Sequence, residues 1–208
     1  MSSLTMMPMS LEEIAQAVQG QLVAGTAAAN TPVATSAFTD SRQIVEGSVF
    51  IAIAGERVDG HDYVPHVGAQ GAVAAIVDHE IADADVPQIV VEDTVLALGL
   101  LAKHNIERRR ALGTPFTVVG ITGSVGKTTT KDLMKALLSH MGSTVAPVGS
   151  FNNEIGLPLT SLKVNAETRF LVAEMGANHV GEIANLTSLV PPDIAVVLKV
   201  GVAHLGEF

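Results

Sequence analysis

Short apolar runs bounded by glycine alternate along the chain with stretches of helical periodicity. Leu11, Ile14 and Val18 recur on one helical face behind Ser10 and Glu13, which stand at capping-box spacing, and Gly20 is a natural stop. Residues 24–31 are small and polar and read as a loop. The run Gly47-Ser-Val-Phe-Ile-Ala-Ile-Ala-Gly55 reads as a buried strand, Gly60 to Gln70 as a short helix, and Gly71 to Asp78 and Gln88 to Val91 as two further strands. Glu92 to Arg110 carries a stripe of Val95, Leu98, Ala102 and Ile106, with acidic residues at its start and Arg108 to Arg110 at its end, which suits a helix macrodipole. The basic triplet reads as a solvated helix terminus.

Gly113-Thr-Pro115 breaks the chain, and the domain boundary is placed there, giving domains 1–113 and 114–208. Beyond it the rhythm is βα. Strand 116–122 leads into a glycine-rich turn, and a helix from Lys127 to about His140 carries Leu133, Leu137 and Met141 on one side before Gly142. Strands follow at 144–148, 170–175 and 194–200, with a helix over 181–189 stopped by Pro191-Pro192. The expected class is α/β, with a parallel sheet in the second domain whose strand C-termini share one ligand-binding edge.

Composition narrows the function. Hydrophobic residues make up 48% of the chain and charged residues 16%, which describes a core-forming globular chain. A formal net charge of −9 argues against nucleic acid as a partner. There are no cysteines, so disulfides and thiolate metal sites are excluded. Met1 to Ser10 lacks the pattern of a secretory leader, and no apolar run reaches transmembrane length. A cytoplasmic protein with no stable membrane association is expected.

The chemistry gathers at Gly120-Ile-Thr-Gly-Ser-Val-Gly-Lys-Thr-Thr-Thr130. A strand, a glycine-rich turn and Lys-Thr opening a helix can hold a nucleotide triphosphate: glycines let backbone N–H groups reach the phosphates, Lys127 reaches the β/γ-phosphates and Thr128 offers a hydroxyl to Mg²⁺. The strict spacing is not met, because Ile121 stands where the first glycine belongs. Glu174 ends an apolar strand, where a metal-binding carboxylate of a nucleotide enzyme belongs; the alternative is an exposed acid near a strand end. His204 follows a strand in the same way and is either a surface histidine or a further ligand. Ser150-Phe-Asn-Asn-Glu-Ile-Gly156 suits a turn or polar recognition of a phosphorylated or sugar substrate. Asn178 suits a helix N-cap. Asp40-Ser-Arg42 suits either an Asx turn or phosphate recognition by Arg42.

Thr122-Gly-Ser-Val-Gly-Lys-Thr128 resembles the phosphate loop of the Mur ligases, the ATP-dependent amide-forming enzymes of peptidoglycan synthesis. Ser150 to Pro158, Glu174 to Ile183 and Gly201 to Phe208 are similar to the branch of that family that adds a terminal dipeptide. Thr39 to Arg42, Gly47 to Ala52 and Asp59 to Asp62 fall in the family's order, although they are shared with the branch that adds the third amino acid. The resemblance implies a small α/β UDP-binding domain followed by part of a parallel-sheet P-loop domain. It also implies a reaction in which ATP phosphorylates the terminal carboxylate of UDP-MurNAc-tripeptide and D-Ala-D-Ala attacks the acyl phosphate. Thr122, Gly123, Ser124, Val125, Gly126, Lys127, Thr128 and Thr129 are then expected at ATP, with Lys127, Glu174 and His204 as catalytic residues. Thr128 would hold one Mg²⁺, Glu174 and His204 a second, Ser41 and Arg42 would meet the UDP moiety, and Asn152 and Asn153 the diphosphate and sugar.

The family pattern continues past Phe208, with a lysine that becomes carbamylated and helps to hold the second metal, and with a C-terminal domain. The 208 residues alone are therefore expected to be inactive and to leave a sheet edge exposed. Three alternatives stand beside this expectation: a non-catalytic fragment that binds UDP-muramoyl peptide, the related ligase that adds the third amino acid, and a generic P-loop kinase or GTPase. The last is disfavoured by the loop spacing and by the lack of an Asn/Thr-Lys-x-Asp guanine-reading motif.

Overall fold

The computed structural model describes residues 5–23, 33–199 and 201. The loop expected at 24–31 and the candidate His204 lie outside them. Two compact units divide within one helix, the first ending at Leu101 and the second beginning at Ala102.

The first unit runs β1 (Met9–Ser10), α1 (Leu11–Ala17), β2 (Gln21–Val23), β3 (Val33–Ala34), β4 (Ser36–Phe38), β5 (Ser48–Ile51), β6 (Ala72–Val77), β7 (Gln88–Val90) and the start of α2 (Thr94–Ala111). Ser10 caps α1 by accepting from the Glu13 N–H at 3.2 Å, as the capping spacing predicts. Asp93 caps α2, accepting from the N–H groups of Val95 and Leu96 at 2.7 and 2.9 Å. The main sheet has the order β2-β7-β6-β5-β4, parallel except for the β2–β7 pair, and β1 and β3 form a small antiparallel ribbon. Parallel strands covered on both faces read as continuous apolar runs, and β5 and β6 are almost wholly buried. Phe50, Ala52, Val64, Val67, Ala75 and Val77 share one core cluster. The stretch 60–70 is two 3-10 turns, Gly60–His66 and Gly68–Gln70, rather than one helix; Pro65 lies inside the first.

The second unit continues with β8 (Thr117–Thr122), α3 (Lys127–Ser139), β9 (Thr144–Val145), α4 (Gly156–Ser161), β10 (Phe170–Glu174), α5 (Glu182–Leu189) and β11 (Ile194–Val197). Its sheet is wholly parallel in the order β11-β8-β10-β9. Alternation divides the core between the two faces. Val118, Leu171 and Ala173 join Ile106, Leu157, Leu186 and Leu189 in one cluster, while Val119, Ile121 and Val172 pack with Met134 and Leu138 in the other. β11 is an edge strand, with Ile194 and Val197 51% and 67% exposed.

Several expectations are corrected. The stripe Leu133, Leu137 and Met141 is exposed; α3 presents Met134 and Leu138 to the sheet, one position further round the helix. The strand expected at 144–148 pairs only over Thr144 and Val145. α4 has no counterpart in the sequence reading, because Gly156 and Pro158 stand in its first turn and mask it. α5 is capped by Gly181 and not by Asn178.

The basic triplet is not simply a solvated terminus. Arg109 is buried and donates from Nε to the Thr168 carbonyl at 3.0 Å, from Nη2 to the Pro115 carbonyl at 3.0 Å and from Nη1 to Thr114 Oγ1 at 2.9 Å. Its guanidinium also lies 5.0 Å from the centre of the Phe116 ring. Asn105, fully buried one turn earlier, donates to the Ser161 and Val164 carbonyls at 3.0 and 2.9 Å. The second part of α2 thus satisfies backbone acceptors of the chain that follows it. Arg109→Met removes these donors and keeps most of the apolar stem, and it lowers unfolding free energy by about 3 kcal/mol in urea titration.

Candidate functional site

β8 delivers the glycine-rich turn and α3 carries it away. Gly123 and Gly126 have φ of +140° and +88°, and Gly126 is the N-cap residue of α3. A Cβ on Gly123 would meet the Leu198 Cβ at 2.8 Å, so the turn needs glycine for space as well as conformation. Ser124 clasps the chain beyond β11: its N–H donates to the Lys199 carbonyl at 3.0 Å, its hydroxyl to the Gly201 carbonyl at 3.2 Å, and it accepts from the Gly201 N–H at 2.9 Å. Lys127 folds over the loop, donating from Nζ to the Gly123 carbonyl at 2.6 Å.

The parallel pairing of β8 and β10 places Glu174 opposite Ile121, beside the loop. Glu174 is 1% exposed. Its Oε1 accepts from the Thr128 hydroxyl at 3.3 Å and from the Asn152 amide at 2.9 Å, while Oε2 is buried and has no hydrogen-bond partner among the described residues. A buried carboxylate oxygen left without a partner is costly, and a cation is the natural means of offsetting it. The Thr128 hydroxyl and Glu174 carboxylate are hard oxygen donors of the kind that suit a small divalent cation. A cleft of about 390 Å³ opens above them, lined by Ser124, Gly126, Lys127, Thr128, Thr129, Ser150, Asn152 and Glu174.

The Ser150–Gly156 stretch is therefore both a turn and part of this cleft. Asn152 is held from two sides: its carbonyl accepts from the Gly176 N–H at 2.8 Å, and a Cβ on Gly176 would fall 2.8 Å from its side chain. The Asn153 side chain accepts from the Gly156 N–H at 2.9 Å, at the start of α4. Glu182 gathers the turn after β10. It accepts from the Asn178 N–H at 2.7 Å and meets His179 Nδ1 at 3.0 Å; these bonds, the backbone one first, hold its carboxyl below the usual range.

Lys131 escaped the sequence reading. It is 1% exposed on α3, and its amine donates to the Pro147 and Gly149 carbonyls at 3.1 and 2.9 Å and pairs with Asp132 at 3.0 Å. It fastens the segment leading to Ser150 and Asn152 against the helix that follows the glycine-rich turn. The available signal was a lysine one turn into α3, four residues after Lys127, on the face of Met134 and Leu138.

In the first unit, Ser41 and Arg42 lie in an exposed 3-10 turn after β4, capped by Asp40. Arg42 donates to Asp40 from its backbone N–H, its Nε and its Nη2, at 3.1, 2.9 and 2.7 Å. The Arg42 side-chain hydrogen bond, followed by its backbone N–H, holds the Asp40 carboxyl down at about 2.

A glycine-rich turn between a parallel strand and a helix, with a buried carboxylate ending the neighbouring strand, defines a P-loop nucleotide-binding domain. The comparisons with known proteins agree. Residues 121–208 match the Mur ligase middle domain, and residues 33–106 match the model described as the Mur ligase family, catalytic domain. The UDP-N-acetylmuramoyl-tripeptide–D-alanyl-D-alanine ligase of Mycobacterium bovis is 41% identical over 98% of this chain and 43% of its own. Among solved structures, MurF from Acinetobacter baumannii matches with TM-score 0.83 and 38% identity, over 98% of this chain and 43% of that one. MurF ligase from Thermotoga maritima in complex with ADP matches with TM-score 0.69 and 40% identity, over 81% of this chain and 38% of that one. The chain belongs to the Mur ligase family. It spans less than half the length of the relatives it matches.

Two outcomes follow from this geometry. Arg42→Ala moves the Asp40 titration midpoint, read by NMR, from about 2 up toward the ordinary 3.8. Because the folded value is depressed, the stability this pair contributes is present above pH 3.8 and is lost as pH falls toward 2. Lys131→Met strands the Pro147 and Gly149 carbonyls and lowers unfolding free energy by about 2–4 kcal/mol in urea titration.

Proposed function

We propose that this chain forms the substrate-binding and nucleotide-binding part of an ATP-dependent ligase that joins D-Ala-D-Ala to UDP-MurNAc-tripeptide through an acyl phosphate, in cytoplasmic peptidoglycan precursor synthesis. One observation carries the reading: the buried Glu174 carboxylate, whose Oε2 has no partner among the described residues, faces the Thr128 hydroxyl in the cleft behind the glycine-rich turn. The kinship to ligases of that name supplies the substrates. Among the described residues no helix is long and apolar enough to cross a membrane.

In this reading the N–H groups of residues 122–129 surround the ATP phosphates, and the Lys127 amine exchanges the Gly123 carbonyl for phosphate oxygen. Thr128 would hold one Mg²⁺, and Glu174 and His204 a second. When bound, Mg²⁺ supplies positive charge that offsets the charge on the transferred phosphoryl group. Asn152 keeps Glu174 aimed into the cleft through its amide and, with Asn153, meets the substrate diphosphate and sugar. Ser41 and Arg42 meet the UDP moiety, Arg42 exchanging Asp40 for a phosphate. The first unit, ending at Leu101, is the UDP-muramoyl-peptide-binding part and the second, from Ala102, the ATP-binding part, so the division falls within α2 and not at the Gly113–Pro115 break.

The test is phosphate release by the parent enzyme given ATP, UDP-MurNAc-tripeptide and D-Ala-D-Ala. Release depends on all three, and Lys127→Ala lowers kcat by about 10²–10³-fold. Release that is indifferent to D-Ala-D-Ala overturns the reading.

A further inference from the structure

A second cluster of ligating groups stands in the first unit, where β6 ends. Asp78 and His79 directly follow that strand, and His61 lies in the turn Gly60–His66. His61 is 5% exposed, and its ring stacks on that of His79 with centroids 4.8 Å apart. Asp59 sits 2.6 Å from His61 Nδ1 and also accepts from the His61 N–H at 2.9 Å. A carboxylate on Nδ1 fixes the tautomer, so that the proton is on Nδ1 and the lone pair on Nε2. That lone pair lies 3.2 Å from Asp78 Oδ1, and the same oxygen lies 2.5 Å from His79 Nδ1. The same Nε2 accepts from the Asp78 N–H at 3.2 Å, so the backbone and the carboxylate of Asp78 both lie beside it. The three candidate ligand atoms, one from each of His61, Asp78 and His79, lie within 4.8 Å of one another.

We propose that His61, Asp78 and His79 bind a divalent transition metal ion of the Zn²⁺ type. Two imidazoles and a carboxylate form a ligand set for Zn²⁺, at about 2.0–2.2 Å from each ligand atom, with a fourth position left for water. The 3.2 Å between His61 Nε2 and Asp78 Oδ1 is close to the separation of two ligands on one tetrahedral ion. His79 is 63% exposed and is free to open its short contact with Asp78 and turn Nδ1 to the ion. The Asp78 N–H, which donates to His61 Nε2 at 3.2 Å, belongs to an exposed residue, where water replaces that acceptor. Asp59 is already in place as the outer carboxylate that orients a metal-binding histidine. The bound ion would clasp the turn Gly60–His66 to the end of β6. It is independent of the Thr128–Glu174 site, which is built from oxygen donors of the other unit.

The test uses the 208-residue chain without a histidine tag, titrated with Zn²⁺ by calorimetry and with Co²⁺ by visible absorption. One ion binds per chain at this site, gives the d–d bands of tetrahedral Co²⁺ and raises the Tm, as any ligand of the folded state does. His79→Ala, at an exposed position, stays folded by circular dichroism and weakens Zn²⁺ binding at least tenfold, with loss of the Co²⁺ bands. Asp59→Asn weakens binding by about 10–100-fold. Glu174→Gln leaves the Co²⁺ bands intact, which separates this site from the nucleotide cleft. Absence of saturable Zn²⁺ binding, equal binding by His79→Ala, or loss of the Co²⁺ bands in Glu174→Gln overturns the proposal.

Discussion

The second unit depends on a carboxylate kept in a place where carboxylates are expensive. Glu174 is the last residue of an otherwise apolar, fully buried strand, and the parallel pairing of β10 with β8 puts it beside the glycine-rich turn. Asn152 and Thr128 both approach the same oxygen, leaving the other buried and without a hydrogen-bond partner among the described residues. Burial raises the cost of that oxygen and, by lowering the local dielectric, raises what a cation gains there. The site is thus organised as an electrostatic demand before any ligand arrives.

The surrounding architecture keeps this arrangement from relaxing. Gly123 lets the turn press against Leu198, and Gly176 lets Asn152 lie on the end of β10; a single added carbon at either would collide at 2.8 Å. Lys131 holds the segment before Asn152 from the α3 side. Each of these contacts joins pieces distant in sequence, so the cleft is a property of the sheet edge as a whole. The second part of α2 does related work on the opposite face, where Asn105 and Arg109 supply donors to carbonyls at the ends of neighbouring segments.

Much of this was legible in the residues because the governing physics is local. The turn needs Gly-Lys-Thr at fixed spacing, the α1 cap needs a serine three residues before an acid, and a carboxylate ending an apolar strand stands out against its neighbours. Elements whose reason is tertiary stayed hidden. Arg109 looks like any helix-terminal arginine until Thr168 and Pro115 place their carbonyls around it. Lys131 looks like a surface lysine for the same reason. The α3 stripe was assigned one position off because leucines occupy both the packed and the exposed face, and periodicity alone does not say which is covered. α4 was hidden by its glycine and proline, and the partnership of Asn152 with Glu174 by the strand that has to return between them.

The position of β8 at the middle of its sheet has a consequence for how the chain acquires this cleft. β8 comes first of the four strands in sequence, yet both its neighbours, β10 and β11, come much later, and each has to return by a crossover. Contacts so distant along the chain close slowly, and an apolar strand made early waits uncovered while the rest of the sheet is synthesised. The glycine-rich turn at its end takes its final shape only when Glu174 and the segment after β11 arrive. The most local motif of the unit is therefore among the last parts of it to become functional.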